Sequence, residues 1–219
     1  MFTMKYGRTY HFPFSEGATN DDKIQKNWHR ILDNDIVMTE KLDGENTCLK
    51  NSGIYARSHA APTKNPWSVN MLPIWNRIKD SLGDLNIFGE NLYGVHSIEY
   101  KNLKDFFYVF AIRENDKWLS WEEVKFYAEA LDLLVVPEIK IGKFTEKLIK
   151  KEIADNLLLG SRLNGECEGF VFRNINSFSV TDFSTNVLKY VRKNHIKTDE
   201  HWTKNWKKAR LWYEYINKE

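Results

Sequence analysis

The sequence predicts an α+β fold built around mostly antiparallel sheets. Short apolar, aromatic-rich runs typical of strands follow one another closely enough to form hairpins, and helical segments separate these groups. The regular strand–helix–strand alternation that builds a parallel sheet is missing from the pattern. No repeat, low-complexity stretch or Gly/Ser linker divides the 219 residues, so we expect residues 1–219 to form a single domain.

The first half of the chain contains the densest group of predicted strands. Its predicted elements are a helix over 24–32, strands over 36–41, 46–50 and 54–57, and a helix over 66–82. The segment Asn20-Asp21-Asp22 can cap the first helix, and Asp43-Gly44 separates the first two strands. Pro73 is expected to disturb the first part of the second helix.

The second half mixes strands and helices. Its predicted elements are strands over 85–88, 106–112, 133–136, 168–173 and 187–192, helices over 121–131 and 145–159, and a helical tail over 198–219. Ser120 is expected to cap the helix that follows it, with Glu122 and Glu123 in the first turn, where acidic side chains are favoured by the helix dipole.

Composition and charge restrict the class of protein. Hydrophobic residues make up 42% and charged residues 28% of the chain, which is typical of a soluble globular enzyme. No apolar run reaches a membrane-spanning length, and the start of the chain lacks a signal-peptide pattern, so we expect a cytoplasmic protein without membrane contacts. Cys48 and Cys167 are too few for a disulfide framework and are expected to be buried.

The net charge of +2 does not by itself indicate nucleic-acid binding, so such binding would require a local patch. The 8 Trp, 10 Tyr and 13 Phe residues could stack on bases, although most of them are expected to fill the core.

The most informative segment is Glu40-Lys41-Leu42-Asp43-Gly44-Glu45-Asn46, at the end of a predicted strand. Its K-x-D-G core is short enough to occur by chance as a solvated turn. Five further segments follow in order: Tyr55-Ala56-Arg57-Ser58, Phe88-Gly89-Glu90-Asn91-Leu92-Tyr93-Gly94, Phe106-Phe107-Tyr108-Val109-Phe110-Ala111-Ile112, Glu168-Gly169-Phe170-Val171-Phe172-Arg173 and Val187-Leu188-Lys189-Tyr190-Val191-Arg192. The ordered set is much more specific than any of its members.

This series resembles motifs I, Ia, III, IIIa, IV and V of the covalent nucleotidyltransferases, the superfamily of polynucleotide ligases and mRNA capping enzymes. The resemblance covers residues 36–192. It implies a ligase adenylation domain, in which mostly antiparallel sheets flanked by helices surround an ATP cleft. Asn46 and the segment Gly89-Glu90-Asn91-Leu92-Tyr93-Gly94 are similar to the RNA-ligase group, whereas DNA ligases commonly carry Arg at the position of Asn46.

The resemblance implies that Lys41 is the nucleophile of an ATP-dependent RNA ligase. Lys41 attacks the α-phosphate of ATP, pyrophosphate leaves, and a lysyl-AMP remains. The AMP passes to a 5′-phosphate end, from which a 3′-hydroxyl displaces it. All three steps are displacements at phosphorus, in which positioning and charge neutralisation dominate. The implied cofactors are ATP and Mg²⁺ (or Mn²⁺).

Four positions are implied to bind ATP, and three of them to contact its nucleoside. Glu40 resembles the residue whose side chain accepts a hydrogen bond from the adenine amino group. Phe110 resembles the ring that stacks on the base, and Glu90 the residue that hydrogen-bonds the ribose. Asn46 matches the motif I asparagine. Taken singly, each has an alternative interpretation as a core or surface residue.

Three further positions are implied to handle phosphate and metal. Arg57 resembles the arginine that holds a phosphate or the substrate end. Lys189 resembles the lysine that contacts the α-phosphate. Glu168 resembles the carboxylate associated with the metal ion. Alone, each could be a solvated charge.

The Lys41 amine can attack only when it is deprotonated, and the ordinary pKa of a lysine is about 10.4. Glu40, Asp43 and Glu45 lie close to it in sequence and are expected to favour the ammonium form. Bound Mg²⁺ and the Lys189 cation are expected to offset them.

Two positions depart from the family pattern. An aspartate often follows the aromatic residue of motif IIIa, but this chain has Ala111. Motif V is commonly K-x-K, whereas Val191 stands where the second lysine is expected. Arg192 and Lys193 are the candidates to replace that cation.

We expect RNA ends, including nicked duplexes, to be the substrate of a monomer, with DNA left open. The alternatives are a DNA ligase, a capping-type guanylyltransferase, and a non-catalytic nucleic-acid-binding module derived from the fold. Too few residues follow motif V for an appended oligonucleotide-binding (OB-fold) barrel, so none is expected.

The C-terminal tail offers one candidate RNA-binding surface, in which basic and aromatic residues alternate. Its members are Trp202, Lys204, Trp206, Lys207, Lys208, Arg210 and Trp212. Cations can follow a phosphate backbone and aromatic rings can stack on bases. The alternative, which the amphipathic pattern favours, is that the tryptophans dock the tail onto the domain.

Overall fold

The computed structural model describes residues 5–57, 61–193 and 206–216. The strands in chain order are β1 (Tyr10–His11), β2 (Ile36–Lys41), β3 (Glu45–Lys50), β4 (Gly53–Ala56), β5 (Leu85–Asn91), β6 (Gly94–Val95), β7 (Phe107–Glu114), β8 (Lys117–Trp118), β9 (Leu134–Val135), β10 (Glu138–Gly142), β11 (Gly169–Asn174), β12 (Phe178–Ser179), β13 (Val187–Val191) and β14 (Lys207–Lys208). The α-helices are α1 (Met71–Ile78), α2 (Trp121–Ala130), α3 (Glu146–Leu159), α4 (Phe183–Asn186) and α5 (Tyr213–Ile216).

Two large sheets carry most of these strands. Sheet A has the order β1-β13-β11-β2-β10, and sheet B has the order β12-β8-β7-β5-β3-β4, with β9 added beside β7. Among the named strands of the described residues, only β1 with β13 and β9 with β7 pair in parallel. The prediction of mostly antiparallel sheets with helices between the strands is therefore confirmed.

Strand β2 shows how the sequence divides the two faces of sheet A. Successive side chains of a strand point to opposite faces. Ile36 and Met38 are fully buried in an apolar cluster with Ile149 and Ile153, which lie one turn apart on α3. The residues between them, and Lys41 after them, point to the other face. One face of sheet A is therefore a core against α3, and the other is open to sheet B.

One face of sheet B is likewise buried, against α2. Ile87 and Ile112 pack in a cluster that includes Val124 of α2. Its other face carries a smaller aromatic cluster that contains Phe88 and Trp118. Both cysteines are buried free thiols, as predicted. No helix among the described residues has the length and apolar character that crossing a membrane requires.

The helix α2 follows the predicted capping chemistry closely. The Ser120 side chain accepts from the Glu123 backbone N–H, and the Glu123 carboxylate accepts from the Ser120 backbone N–H at 2.7 Å. This reciprocal arrangement satisfies two donors that a helix start otherwise leaves unpaired. The predicted start of this helix is confirmed.

The predicted helix over 24–32 is wrong in its first part. Only a 3-10 helix forms, at Trp28–Asp33. The backbone groups that a helix would use are committed to β1, because His11 donates to the Lys23 carbonyl at 2.7 Å and accepts from Gln25 at 2.9 Å. Long-range pairing with the N-terminal strand therefore overrides the local helical pattern.

The predicted helix over 66–82 is divided into three pieces. A 3-10 turn at Pro66–Ser68 precedes α1, and another at Lys79–Ser81 follows it. Pro73 lies in the first turn of α1, where a residue without a backbone N–H costs no helical hydrogen bond. Pro73 therefore lies where α1 begins, and the predicted helix is interrupted before it, as expected.

The predicted helical tail over 198–219 is wrong over residues 206–212 and correct at Tyr213–Ile216. Lys207–Lys208 forms β14, which pairs antiparallel with β6, and only Tyr213–Ile216 is helical. The Trp206 ring lies 6.1 Å from Trp67 and 5.9 Å from Tyr93, which docks the segment beside the edge of β6. Residues 198–205 and 217–219, with Trp202 and Lys204, lie outside the described residues.

Candidate active site

A cavity of about 620 Å³ lies between the facing surfaces of sheets A and B. Seven of the eight site residues predicted from sequence line it: Glu40, Lys41, Asn46, Arg57, Glu90, Phe110 and Lys189. The eighth, Glu168, contacts the cavity through Lys41. The structure therefore brings together residues that the sequence distributes over most of the chain.

Lys41 and Glu168 form the central pair of this cavity. The Lys41 Nζ donates to Glu168 Oε1 at 2.7 Å and to Oε2 at 2.6 Å. The Lys41 side chain is 27% exposed and that of Glu168 is 6% exposed. Strand pairing fixes this contact, because Lys41 lies opposite Gly169 in the register of β2 and β11. A side chain at Gly169 would overlap the Tyr190 carbonyl of β13, so glycine allows the close strand packing.

The carboxylates around Lys41 keep it protonated. Burial acts to lower its pKa, but Glu168 and then Glu90 outweigh burial, so the pKa of Lys41 is raised. Of the three acids expected from sequence, Asp43 adds to this effect. Glu45 instead accepts from Asn65 at 2.8 Å, away from the amine. The expectation of an acid-stabilised ammonium is confirmed, but residues remote in sequence dominate it.

The turn at Asp43 and Gly44 connects the end of β2 to sheet B. The Asp43 Oδ2 accepts from the backbone N–H groups of Ser97 at 2.7 Å and Ile98 at 3.0 Å. Gly44 donates to Glu90 Oε1 at 3.1 Å. A Cβ at Gly44 would lie 2.6 Å from the Asn91 carbonyl oxygen, so only glycine fits. The predicted role of these two residues in shaping the turn is confirmed.

Glu90 and Asn46 lie opposite each other on β5 and β3, facing Lys41. Burial, opposed by Lys41 and supported by Glu168, raises the pKa of Glu90 to about 8. The Oδ1 atom of Asn46 is buried and has no hydrogen-bond partner among the described residues. A buried acceptor without a donor is costly, so this position favours a ligand that donates a hydrogen bond.

Phe110 enters the cavity through a β-bulge. In the pairing of β5 with β7, Phe88 lies opposite Ala111 and Gly89 lies opposite Val109, so Phe110 has no partner across the strands. Bulges re-aim side chains in this way. The half-buried Phe110 ring and Val171 of sheet A border the cavity from different sheets, and the Tyr6 ring lies 4.9 Å from Phe110.

Glu40 borders the cavity, but its carboxylate has a partner that the sequence did not indicate. Glu40 lies opposite Phe170, which belongs to the core on the α3 face of sheet A, and its Oε2 accepts from the Arg162 backbone N–H at 2.9 Å. Burial raises the pKa of Glu40. Its predicted contact with an adenine amino group stays a prediction.

Lys189 lies at the other side of the cavity and has an acidic partner from the N-terminal segment. Its Nζ lies 3.6 Å from Asp22 Oδ1. Burial and then the charge of Lys41 lower the pKa of Lys189, although Asp22 and Glu168 oppose them. Asp22 was expected to cap a helix, and nothing in its local sequence indicated this contact.

The replacement of the second motif V cation differs from the expectation. The Arg192 Nε donates to the Cys167 carbonyl at 2.8 Å and its guanidinium pairs with Glu166, outside the cavity. Lys193 is exposed and does not line the cavity either. Besides Lys41 and Lys189, three arginines border the cavity: Arg8, Arg57 and Arg173.

A smaller cavity of about 430 Å³ continues from the first. It is lined by Lys5, Tyr6, Arg8 and Arg57, of which the last three also line the larger cavity. Three of its four lining residues are cationic, so the opening is suited to anions. The sequence indicated Arg57 but gave no signal for Lys5 or Arg8.

Other lining residues were missed although a signal existed. Thr39 lies two residues before Lys41 on the same strand face, and Val171 and Arg173 alternate along β11. Strand periodicity applied outward from the motifs would have found them. Among the described residues, no group of three or more His, Cys, Asp or Glu side chains could hold a metal ion.

Two antiparallel sheets that enclose a lysine–glutamate pair, a second lysine and an aromatic ring define a protein of the nucleotidyltransferase class. The chain belongs to the RNA ligase family, whose model matches residues 34–191. No curated protein sequence matches it.

Solved structures share this fold. A protein from Aquifex aeolicus, provisionally assigned as an ATP-dependent DNA ligase, has a TM-score of 0.57 at 21% identity over 86% of this chain and 50% of its own. An archaeal ATP-dependent RNA ligase has a TM-score of 0.56 at 15% identity over 86% and 48%. The Naegleria gruberi RNA ligase E227A mutant with ATP and Mn has a TM-score of 0.52 at 18% identity, over 86% of this chain and 60% of its own. The chain thus spans about half of the first two and three fifths of the third.

Proposed function

We propose that this chain is an ATP-dependent RNA ligase that joins 5′-phosphate and 3′-hydroxyl ends through a lysyl-AMP intermediate. The observation that carries the proposal is the Lys41–Glu168 pair, in contact at 2.6 Å between two sheets, in a cavity that Lys189 also lines. Membership of the RNA ligase family favours RNA over DNA as the strand.

The cavity suits a nucleotide in size and in lining. Its volume of about 620 Å³ is in the ordinary range for small-molecule sites. Phe110 and Val171 offer apolar surface to a base. The unpartnered Oδ1 of Asn46 and the carboxyl group of Glu90 can accept hydrogen bonds from ribose hydroxyls. These features support an ATP cleft between the sheets.

The first step joins Lys41 to the α-phosphorus. Nζ loses one proton of its ammonium group to water and attacks; an N–P bond forms while the bond from the α-phosphorus to the bridging oxygen breaks and pyrophosphate leaves. The nitrogen then loses a second proton to water, which gives the neutral phosphoramidate nitrogen. Lys189 balances the charge that develops on the α-phosphate oxygens. Because the carboxylates raise the pKa of Lys41, nucleotide binding must change its surroundings before it attacks.

A divalent metal fits at Glu168. Carboxylate oxygens are ligands that Mg²⁺ prefers, and Mg²⁺ commonly binds through one or two carboxylates with substrate phosphates and water. Glu168 would hold the ion together with phosphate oxygens, because no larger set of acidic or histidine ligands is present among the described residues. Bound there, the metal supplies positive charge that favours a neutral amine and stabilises the phosphate.

The second and third steps need a polynucleotide end beside the same lysine. The cationic cavity of Lys5, Arg8 and Arg57 opens from the nucleotide cavity and can receive a 5′-phosphate. The phosphate oxygen then attacks the AMP on Lys41, and a 3′-hydroxyl displaces AMP from the new end. Lys207 and Lys208 are exposed on the docked C-terminal segment and add positive surface for the strand.

The test is formation of the covalent nucleotide. Purified protein is incubated with Mg²⁺ and α-labelled ATP or GTP and analysed on a denaturing gel, with Lys41→Ala and Lys140→Ala beside the wild type. Lys140 also pairs with a glutamate, Glu152, at 2.9 Å, but outside the cavity. We expect label from ATP on the wild type and on Lys140→Ala, and none on Lys41→Ala.

The rival functions give other results. Label from GTP alone would indicate a capping-type enzyme, and no label from either nucleotide would indicate a nucleic-acid-binding module. If ATP labels Lys41, sealing of a nicked RNA duplex compared with a nicked DNA duplex then separates an RNA ligase from a DNA ligase.

A further inference from the structure

The N-terminal segment contributes to the cavity although it precedes the family-matched residues 34–191. Strand β1 pairs in parallel with β13, with His11 opposite Lys189. The Phe12 backbone N–H also donates to the Lys189 carbonyl at 3.0 Å. The strand that carries Lys189 is therefore held in place by a segment that no motif marks.

Asp22 is fixed through both of its carboxylate oxygens. Its Oδ2 accepts from the Thr19 backbone N–H and from the Thr19 hydroxyl, each at 3.1 Å. Its Oδ1 lies 3.6 Å from Lys189 Nζ and 3.2 Å from His11 Nε2. Asp22 also lines the cavity. Burial acts to raise its pKa, but the Thr19 bonds and the Lys189 charge outweigh it and lower the pKa of Asp22 to about 2.

His11 supports this carboxylate from the buried side. The side chain is 1% exposed, and its Nδ1 lies 2.7 Å from Ser15 Oγ, which accepts from the Val191 backbone N–H at 2.9 Å. Burial and then the charge of Lys189 lower the pKa of His11 to about 4, so the imidazole is neutral near pH 7. The other ring nitrogen, Nε2, lies on the side of Asp22, 3.2 Å from its Oδ1.

We propose that Asp22 is a positioning residue for Lys189, holding its ammonium group where it meets the α-phosphate of ATP. The inference rests on the proposed function of the cavity. A lysine side chain is long and flexible, and Lys189 shares its cavity with the Lys41 cation, which repels it. A carboxylate anchored by Thr19, with the buried His11 ring beside it, gives the Lys189 side chain a defined position before the nucleotide binds.

The test compares adenylation in single and double variants, using α-labelled ATP in single turnovers. Asp22→Asn keeps the size of the side chain and removes its charge. Because misplacement of a catalytic group costs about 100-fold, we expect a fall of that order in the maximal rate, with a smaller change in the ATP concentration at half-maximum. In a Lys189→Gln background, the same substitution should cost less than about twofold, since its target is gone.

Matched variants protect the test against a folding defect. Glu152→Gln removes a carboxylate paired with Lys140 outside the cavity and should leave adenylation unchanged. Thr19→Val removes one bond to Asp22 at an exposed position, and we expect a loss of about fivefold, the value of one hydrogen bond. Asp22→Glu, which retains the charge, should be faster than Asp22→Asn.

Two outcomes would overturn the proposal. One is an Asp22→Asn loss that is as large in the Lys189→Gln background as in the wild type, since Asp22 would then act independently of Lys189. The other is wild-type rates in both Asp22→Asn and Thr19→Val. Failure of the proposed function itself looks different, because the wild-type protein would then form no adenylate at all.

Discussion

The two lysines of the cavity lie in opposite electrostatic surroundings. At the Lys41 end, formed by Lys41, Glu168, Glu90 and Asp43, carboxylates outweigh burial and raise the lysine pKa. At the Lys189 end, formed by Lys189, Asp22 and His11, burial and the charge of Lys41 lower the lysine pKa although Asp22 and Glu168 oppose them. The nearest carboxylate oxygen is 2.6 Å away at the Lys41 end and 3.6 Å away at the Lys189 end.

This difference assigns different work to two chemically identical side chains. Lys41 is held as an ammonium ion in the free protein, so in the proposed reaction it would become a nucleophile only when a substrate and a metal compete for Glu168. Lys189 contacts no carboxylate that closely and is free to give its positive charge to a phosphate. Under the proposed function, Lys41 would therefore be activated by ligand binding, whereas Lys189 would already be in place to balance charge.

The largest effect should come from Glu168→Gln, which removes the main acid of the Lys41 end. An uncharged amide can neither bind a divalent metal well nor be displaced by it, so we expect the single-turnover adenylation rate to fall roughly 100- to 1000-fold, as for loss of a transition-state contact. The measurement is transfer of α-labelled AMP to protein at saturating ATP and Mg²⁺.

Glu166→Gln is the matched control for this variant. Glu166 lies two residues earlier and pairs with Arg192 outside the cavity. Its replacement should change the rate by less than about twofold, as surface charges usually do. Equal losses in the two variants would mean that local negative charge matters and the Lys41 contact does not.

The Lys41 end is the part of the site that sequence could reach. Motif I and motif IV marked Lys41 and Glu168, and strand patterns placed both at strand ends. Their contact spans 127 residues and follows from pairing of β2 with β11, which no local pattern encodes. Only the resemblance to a family joined the two segments before the structure did.

The Lys189 end shows what sequence alone could not supply. Lys189 was marked by motif V, but Asp22 lies in a segment that resembles a helix cap, and His11 lies in a strand of two residues. Long-range pairing of β1 with β13 positions His11, and the backbone bonds of His11 with Lys23 and Gln25 bring Asp22 beside it. Long-range contacts also account for β14. Docking of Trp206 against Tyr93 places Lys207–Lys208 at the edge of β6 and not in a helix.

A smaller effect is expected from Glu90, the second glutamate of the Lys41 end, and it concerns the pH dependence of stability. The pKa of Glu90 is about 8 in the folded protein, against 4.5 for an ordinary glutamate, which represents the unfolded chain. Between these two pH values the folded state therefore binds more protons than the unfolded state. Stability therefore falls as pH rises from about 5 to about 8. We expect the wild type to lose about 2 kcal/mol more than Glu90→Gln across this window, after allowance for solvent screening.

Urea unfolding at several pH values between about 5 and about 8 measures this difference directly. The comparison needs only the slopes, because Glu90→Gln changes the absolute stability as well. Parallel slopes in the two proteins would show that Glu90 titrates normally and that Lys41 keeps it ionised. Both glutamates of the Lys41 end would then be ionised, and its electrostatic contrast with the Lys189 end would be greater.

The smallest effect should lie beyond the Lys189 end, at Arg8. Its guanidinium donates to the Asp21 carbonyl beside Asp22 and borders both cavities. If these cations receive the polynucleotide and not ATP, Arg8→Ala should leave adenylation within about twofold. It should raise the concentration of 5′-phosphorylated RNA at half-maximal AMP transfer about tenfold, the value of one charged hydrogen bond.

Separate assays of the two steps decide this point. Protein already carrying AMP is mixed with nicked RNA between about 50 mM and about 200 mM salt, where loss of one phosphate contact should also reduce the salt slope by about one. Arg210→Ala, which removes a cation paired with Glu99 away from both cavities, is the control. If Arg8→Ala slows adenylation as much as transfer, then Arg8 binds the phosphates of ATP. The Lys189 end would then extend through Arg8 as part of the nucleotide site, and the RNA end would have to enter from another side of the cavity.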